Sequence, residues 1–161
     1  SGSMGGEPLA TSAVTAASVA WRSPDDYSVL SFGKEVVAAK SQDAHKSSES
    51  VVDAVLALRG FGTTDVAGAL AAARDQLGRS SASRKITILL SDCRATAHGS
   101  GDAESAIGVA IAARQVEELL IIAPADDDVT ARELASATGS RITTVTGPSD
   151  AAAALARVLD T

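Results

Sequence analysis

Ile86-Thr87-Ile88-Leu89-Leu90-Ser91-Asp92 is the stretch that decides the fold. It is a nearly continuous apolar run closed by a hydroxyl and a carboxylate. Such a run belongs to a strand buried on both faces, as in a parallel sheet. Leu119-Leu120-Ile121-Ile122 repeats the pattern, and Ile142-Thr143-Thr144-Val145 repeats it more weakly. Helical segments fall between and after these runs. One lies near Asp102–Arg114. One runs from a cap at Asp127 to about Ala137, where Gly139 ends it. One closes the chain over Ala151–Leu159. Strands alternating with helices predict an α/β fold: a doubly wound, mainly parallel sheet with helices on both faces.

The N-terminal half extends this pattern. Pro8 suits a first helical turn, where its missing N–H costs nothing. Leu9, Ala13, Ala16, Ala17 and Ala20 then share one face, and Trp21 and Pro24 close the helix. Tyr27–Phe32 reads as a strand, Gly33-Lys34 as a tight turn and Glu35–Ala39 as the return strand, which makes an antiparallel edge hairpin. Val51, Val52, Val55, Leu56 and Leu58 mark a second helix that Gly60 is placed to end. Val66, Ala69, Leu70, Ala73 and Leu77 mark a third, stopped by Gly78. Ser47–Ser50 and Ser80–Ser83 read as surface linkers.

Composition narrows the function classes. The length of 161 residues fits a single domain over 1–161. Aromatics are 2% of the residues against 45% hydrophobic, so the core must be aliphatic. The net charge of −6 and the absence of a basic run argue against nucleic acid. A single cysteine, Cys93, excludes an internal disulfide and fits a reducing, cytoplasmic setting. No run approaches the roughly 18 apolar residues of a membrane span.

Three polar features are placed to meet. In open parallel sheets, ligands bind beyond the carboxyl ends of the strands. Asp92 ends the first run quoted above. Thr63-Thr64 precedes a helix, and so does Ser1-Gly2-Ser3-Met4-Gly5-Gly6. Serine and threonine hydroxyls are hard oxygens that suit Mg²⁺. Glycines let a backbone turn sharply enough to aim two hydroxyls at one point. Taken alone, Ser1–Met4 reads better as an appended linker or scar than as a ligand loop.

With these segments in their order, the chain resembles the von Willebrand factor A, or integrin I-like, domain of the bacterial intracellular type. The resemblance rests on Ser1-Gly2-Ser3-Met4, on Gly62-Thr63-Thr64-Asp65-Val66-Ala67-Gly68-Ala69-Leu70 and on Ile88-Leu89-Leu90-Ser91-Asp92. It implies a metal-ion-dependent adhesion site with Ser1, Ser3, Thr64 and Asp92 as ligands. The cofactor would be Mg²⁺, or Mn²⁺ or Ca²⁺, and the module would bind protein rather than catalyse. The partner would present an Asp or Glu carboxylate, and a MoxR-type AAA+ ATPase is one such partner that the resemblance suggests.

Two departures stand out. The family's leading aspartate would fall two residues before Ser1, so that aspartate and the hydrophobic strand carrying it lie outside the sequence. Cys93 follows Asp92 where the family writes glycine. In the family the outlying strand sits between the Tyr27–Phe32 and Ile86–Leu90 strands. Those two strands should therefore flank a slot, filled by a segment beyond these residues. An empty slot would leave backbone groups unsatisfied at about 1–3 kcal/mol each when buried. Direct pairing of the two strands would instead show that the sheet has closed.

The rival reading is a serine hydrolase. Ser1-Gly2-Ser3-Met4-Gly5 is a loosened nucleophile elbow with Ser3 as nucleophile, and Asp92 and His98 are the remaining triad candidates. Neither common phosphate-binding glycine motif is present. The bland alternatives are a helix N-cap for Thr64, a strand-end turn for Asp92 and a solvated role for His45 and His98. Cys93 reads as a small, semi-buried residue. Asp126-Asp127-Asp128 reads as a second acidic site or, more simply, as a helix cap.

Overall fold

The computed structural model describes residues 7–33, 36–57, 65–93 and 102–160. In chain order the elements are α1 (Glu7–Arg22), β1 (Val29–Phe32), β2 (Val36–Lys40), α2 (Ser48–Leu56), α3 (Val66–Leu77) and β3 (Thr87–Leu90). Then come α4 (Asp102–Arg114), β4 (Leu119–Pro124), α5 (Val129–Thr138), β5 (Arg141–Val145) and α6 (Pro148–Leu159). Strands β3, β4 and β5 form a parallel sheet in that order, and β1 and β2 form an antiparallel hairpin.

Strand β4 is the centre. Residues Leu119 to Ala123 are all buried, because β4 is paired on both edges and covered on both faces. Side chains alternate along a strand. Leu119, Ile121 and Ala123 accordingly join Val66, Leu70, Val109 and Leu134 on one face. Leu120 and Ile122 join Ala154, Leu155 and Val158 on the other, with Val14 and Val19 of α1 beside them. A third cluster joins α1 to the hairpin and α2 through Ala13, Ala16, Ala20, Tyr27, Val51 and Val55. The alanine face of α1 is what allows this close approach.

Local chemistry moves several boundaries. Ser47 is the N-cap of α2 and accepts a hydrogen bond from Ser50 N–H at 3.1 Å, so Ser47–Ser50 is a helix start and not a linker. Ala57 caps its end, and Gly60 lies outside the described residues. The N-cap of α5 is Asp128 rather than Asp127. Its carboxylate does not cap the helix but pairs with Arg132 one turn on, at 2.6 Å. Gly139 ends that helix in the left-handed conformation, φ 68°, which glycine adopts without a Cβ penalty.

The hairpin carries a buried cation. Lys40 is 1% exposed. Its ammonium donates to the carbonyls of Tyr27 at 2.5 Å and Ser41 at 3.0 Å and lies 4.2 Å from the Tyr27 ring centroid. Burial holds its pKa below the usual lysine value. Lys40→Ala removes this donor and empties the space of its stem. It should cost about 2–4 kcal/mol of stability, measured by urea unfolding.

Candidate functional site

Strands β1 and β3 run in the same direction, with a hydrogen bond between the segments leading into them and an apolar cluster shared at their carboxyl ends. At the amino ends, Asp26 accepts hydrogen bonds from Ser80 Oγ at 2.5 Å and Gln42 Nε2 at 2.7 Å. Those two bonds hold the Asp26 carboxyl below the usual carboxylate range. At the carboxyl ends, Asp65 N–H donates to the Gly33 carbonyl at 2.8 Å, joining the end of β1 to the start of α3. Phe32, Val66, Leu89 and Cys93 share one apolar cluster there.

Asp92 stands at this carboxyl rim. It follows β3, is 8% exposed and lies between the fully buried Ser91 and the buried Cys93. Ser91 is committed to the local turn. Its N–H donates to the Ile122 carbonyl at 3.1 Å, and its Oγ accepts from Cys93 N–H at 2.9 Å. That turn places Cys93 in the left-handed region, φ 64°. A glycine would occupy this position without strain, whereas a side chain there carries a cost. Burial, with the Asp92 charge as second cause, pushes the Cys93 thiol up to about 12. A neutral, buried thiol is a packing residue and not a nucleophile.

The N-cap of α3 is Asp65, whose Oδ1 accepts from Gly68 N–H at 2.8 Å. Thr64 is therefore the residue before the cap, not the cap. Gly68 is required by this arrangement: a Cβ there would stand 2.3 Å from Asp65 Oδ2. Sequence reading passed over Asp65 and Gly68, although an aspartate three residues before a glycine at a helix start carries the signal.

Helix α1 leads to the start of β1. Its far end is fixed there, where Ser23 Oγ donates to the Asp26 carbonyl at 3.1 Å. Sixteen helical residues span about 24 Å, close to the length of the Tyr27–Gly33 stretch beside it. Ser1 and Ser3 precede this helix in sequence. Ser1, Ser3, Thr64 and His98 all lie outside the described residues, so of the four predicted ligands Asp92 alone is placed. Among the described residues, no group of three or more His, Cys, Asp or Glu side chains could hold a metal ion. The predicted set is of another kind, three hydroxyls and one carboxylate, and hard oxygens of this sort suit a Mg²⁺-type cation.

An aliphatic α/β layer structure with its polar residues at the carboxyl rim defines a doubly wound domain of Rossmann-like type. The von Willebrand factor type A domain profile matches residues 1–156, and the chain belongs to that family. No curated protein matches it. Among solved structures it is similar to von Willebrand factor type A from Catenulispora acidiphila, at 17% identity and TM-score 0.68. The match covers 95% of this chain and 38% of that one, so this chain corresponds to well under half of that protein. At this identity the likeness is one of fold. No helix among the described residues is long and apolar enough to cross a membrane.

The turn at Cys93 is open to a direct test. Cys93→Gly, which exchanges a buried side chain for a relaxed backbone, should unfold within about 1 kcal/mol of the parent chain. Cys93→Val, β-branched at positive φ, should cost about 1–3 kcal/mol. The thiol itself should resist alkylation at pH 8 in the native chain and react at once in denaturant.

Proposed function

We propose that the chain is a protein-binding module whose recognition site is a divalent cation of Mg²⁺ type at the carboxyl rim. Ser1, Ser3 and Thr64 would hold it directly, with Asp92 acting through water, and a partner's Asp or Glu carboxylate would complete the coordination. Domains of this family are commonly metal-dependent protein-interaction modules. The observation that carries the reading is the position of Asp92. It is a buried carboxylate beyond the end of β3, whose Leu89 shares an apolar cluster with Val66 at the start of α3.

The chain's own residues set the chemistry. Asp65 fixes the start of α3 and ties it to the end of β1, which orients the segment leading from Thr64. The Ser91–Cys93 turn holds Asp92 at the strand end. The Cys93 thiol stays protonated at neutral pH, so it adds no competing anion. Hydroxyl ligands are neutral, and a cation held mainly by them stays electrophilic toward an incoming carboxylate. A MoxR-type AAA+ ATPase acting in a cytoplasmic assembly is the partner class that the family resemblance supports. The rival hydrolase reading needs Ser3 and His98, and no observation favours it.

Thermal unfolding with Mg²⁺ or Mn²⁺ alone tests the site. At ten times the dissociation constant, binding to the native state adds about 1.4 kcal/mol, a rise of a few degrees in Tm. Asp92→Ala and Thr64→Ala should each remove that rise while leaving the metal-free far-UV circular dichroism unchanged. An identical Tm with metal and with EDTA would sink the reading. Labelling of Ser3 by a fluorophosphonate would favour the hydrolase in its place.

A further inference from the structure

Helix α4 carries the same kind of residue outside as inside. Residues 106–113 are a run without a polar side chain, more than two turns long, so every direction around the helix axis is apolar. A helix of that pattern is ordinarily buried all round. Here one side is. Val109 and Ala113 pack into the cluster around β4, whereas Ile107 is 61% exposed and Ile111 52%. The two isoleucines stand one turn apart on a single stripe. Gly108 lies beside them, and a Cβ there would meet nothing within 4 Å. Neighbouring α5, by contrast, presents Arg132 and Glu133 to solvent.

The stripe is held in place from both sides. Arg74 of α3 donates to Gln115 Oε1 at 3.4 Å, just past the end of α4. Arg114, in the last turn of α4, donates to the Ala137 carbonyl of α5 at 2.7 Å. A guanidinium has five N–H donors, and this bond uses one of them. Arg114 has no carboxylate partner among the described residues, so its charge is available at the end of the stripe.

We propose that two copies of the chain meet on this stripe, α4 against α4 in antiparallel register about a two-fold axis beside Gly108. A two-fold interface must be complementary to itself, and the charges of α4 satisfy that condition. Asp102 and Glu104 open the helix and Arg114 closes it, so reversing the second copy sets acidic start against basic end. The register is set as well. With Ile107 opposite Ile111 of the second copy, Glu104 falls opposite Arg114 of the second copy, because both pairs are centred on position 109. Gly108 is nearest that centre and lets the two backbones approach where they cross. A parallel pairing would set Arg114 against Arg114 and forfeit the match. The strip is about 20 Å long and 10 Å wide, well short of the roughly 800 Å² that each partner buries in a standard interface. Each copy also carries a net charge of −6. The dimer is therefore a weak one, forming at roughly tens of micromolar or above.

Sedimentation equilibrium of the chain in EDTA, from about 10 µM to about 1 mM, reads this association apart from any bound metal. The parent chain should pass from monomer to dimer across that range. Ile111→Lys should weaken the dimer about tenfold or more and leave the Tm of the dilute chain nearly unchanged, since the residue is exposed. Gly108→Leu improves helix propensity within one copy and closes the notch between two. It should raise the Tm of the dilute chain and still weaken the dimer about tenfold or more, which separates the interface from any folding defect. Glu104→Arg and Arg114→Glu should each weaken the dimer, and the two changes together should restore it. A chain that stays monomeric at about 1 mM would overturn the proposal and leave the stripe to a different protein. A dimer indifferent to Ile111→Lys and Gly108→Leu would also overturn it, as would charge reversals that fail to rescue each other.

Discussion

Burial of β4 on both faces and both edges is the constraint from which the rest follows. Five consecutive buried residues need helices above and below and a strand on each side. The 3.6-residue and two-residue periodicities must then agree. Val66 and Leu70 of α3 and Leu134 of α5 lie one turn from a second buried position or opposite the odd residues of β4, and α6 presents Ala151, Ala154, Leu155 and Val158 to the even ones. Because aromatics are scarce, these contacts are made by small and branched aliphatic groups. The carboxyl rim is a by-product of this packing, since parallel strands buried this way end together and leave their polar closing residues side by side.

Much of this was legible in the chain. Continuous apolar runs identified β3 and β4, and the stripe from Val66 to Leu77 gave α3 with its observed bounds. The separation of the hairpin from β3 was also expected. Among the described residues Val29 and its neighbours pair with β2 and not with β3, so the two strands have not closed on each other. What escaped is chemistry that depends on tertiary partners. Lys40 lies one residue past the return strand read over Glu35–Ala39, and two carbonyls and an aromatic ring converge to bury it. Ser47–Ser50 looked like a linker because serine favours both loops and caps, and the valines at 51 and 55 decide for the helix. Asp127 and Asp128 are indistinguishable by composition, and only the backbone says which one opens α5.

The place of Asp92 was legible from the apolar run before it, and it follows β3 as a buried carboxylate. The glycine-to-cysteine departure at 93 also acquires a physical meaning. The turn needs positive φ, which explains why glycine suits that position, and Cys93 holds the same shape with a buried thiol. Asp65 was overlooked because Thr64 drew attention as the capping candidate. Its carboxylate serves the helix and its N–H serves β1, so a single residue joins the two elements nearest the site.

The interrupted sheet has a consequence for cooperativity. Backbone ladders transmit stability laterally, and among the described residues none crosses from the hairpin to β3. The cluster of Ala13, Ala16, Tyr27, Val51 and Val55 joins α2 and the hairpin to one face of α1, whose Val14 and Val19 pack with β4 and α6. The clusters around β4 hold the remainder. Such a division defines two foldons, coupled through side chains of α1 and α3 and a few polar ties and not through a shared sheet. The hairpin half can then open on its own while β3, β4 and β5 stay paired. Local unfolding near Gly33 would loosen the start of α3 well before the central strand is exposed.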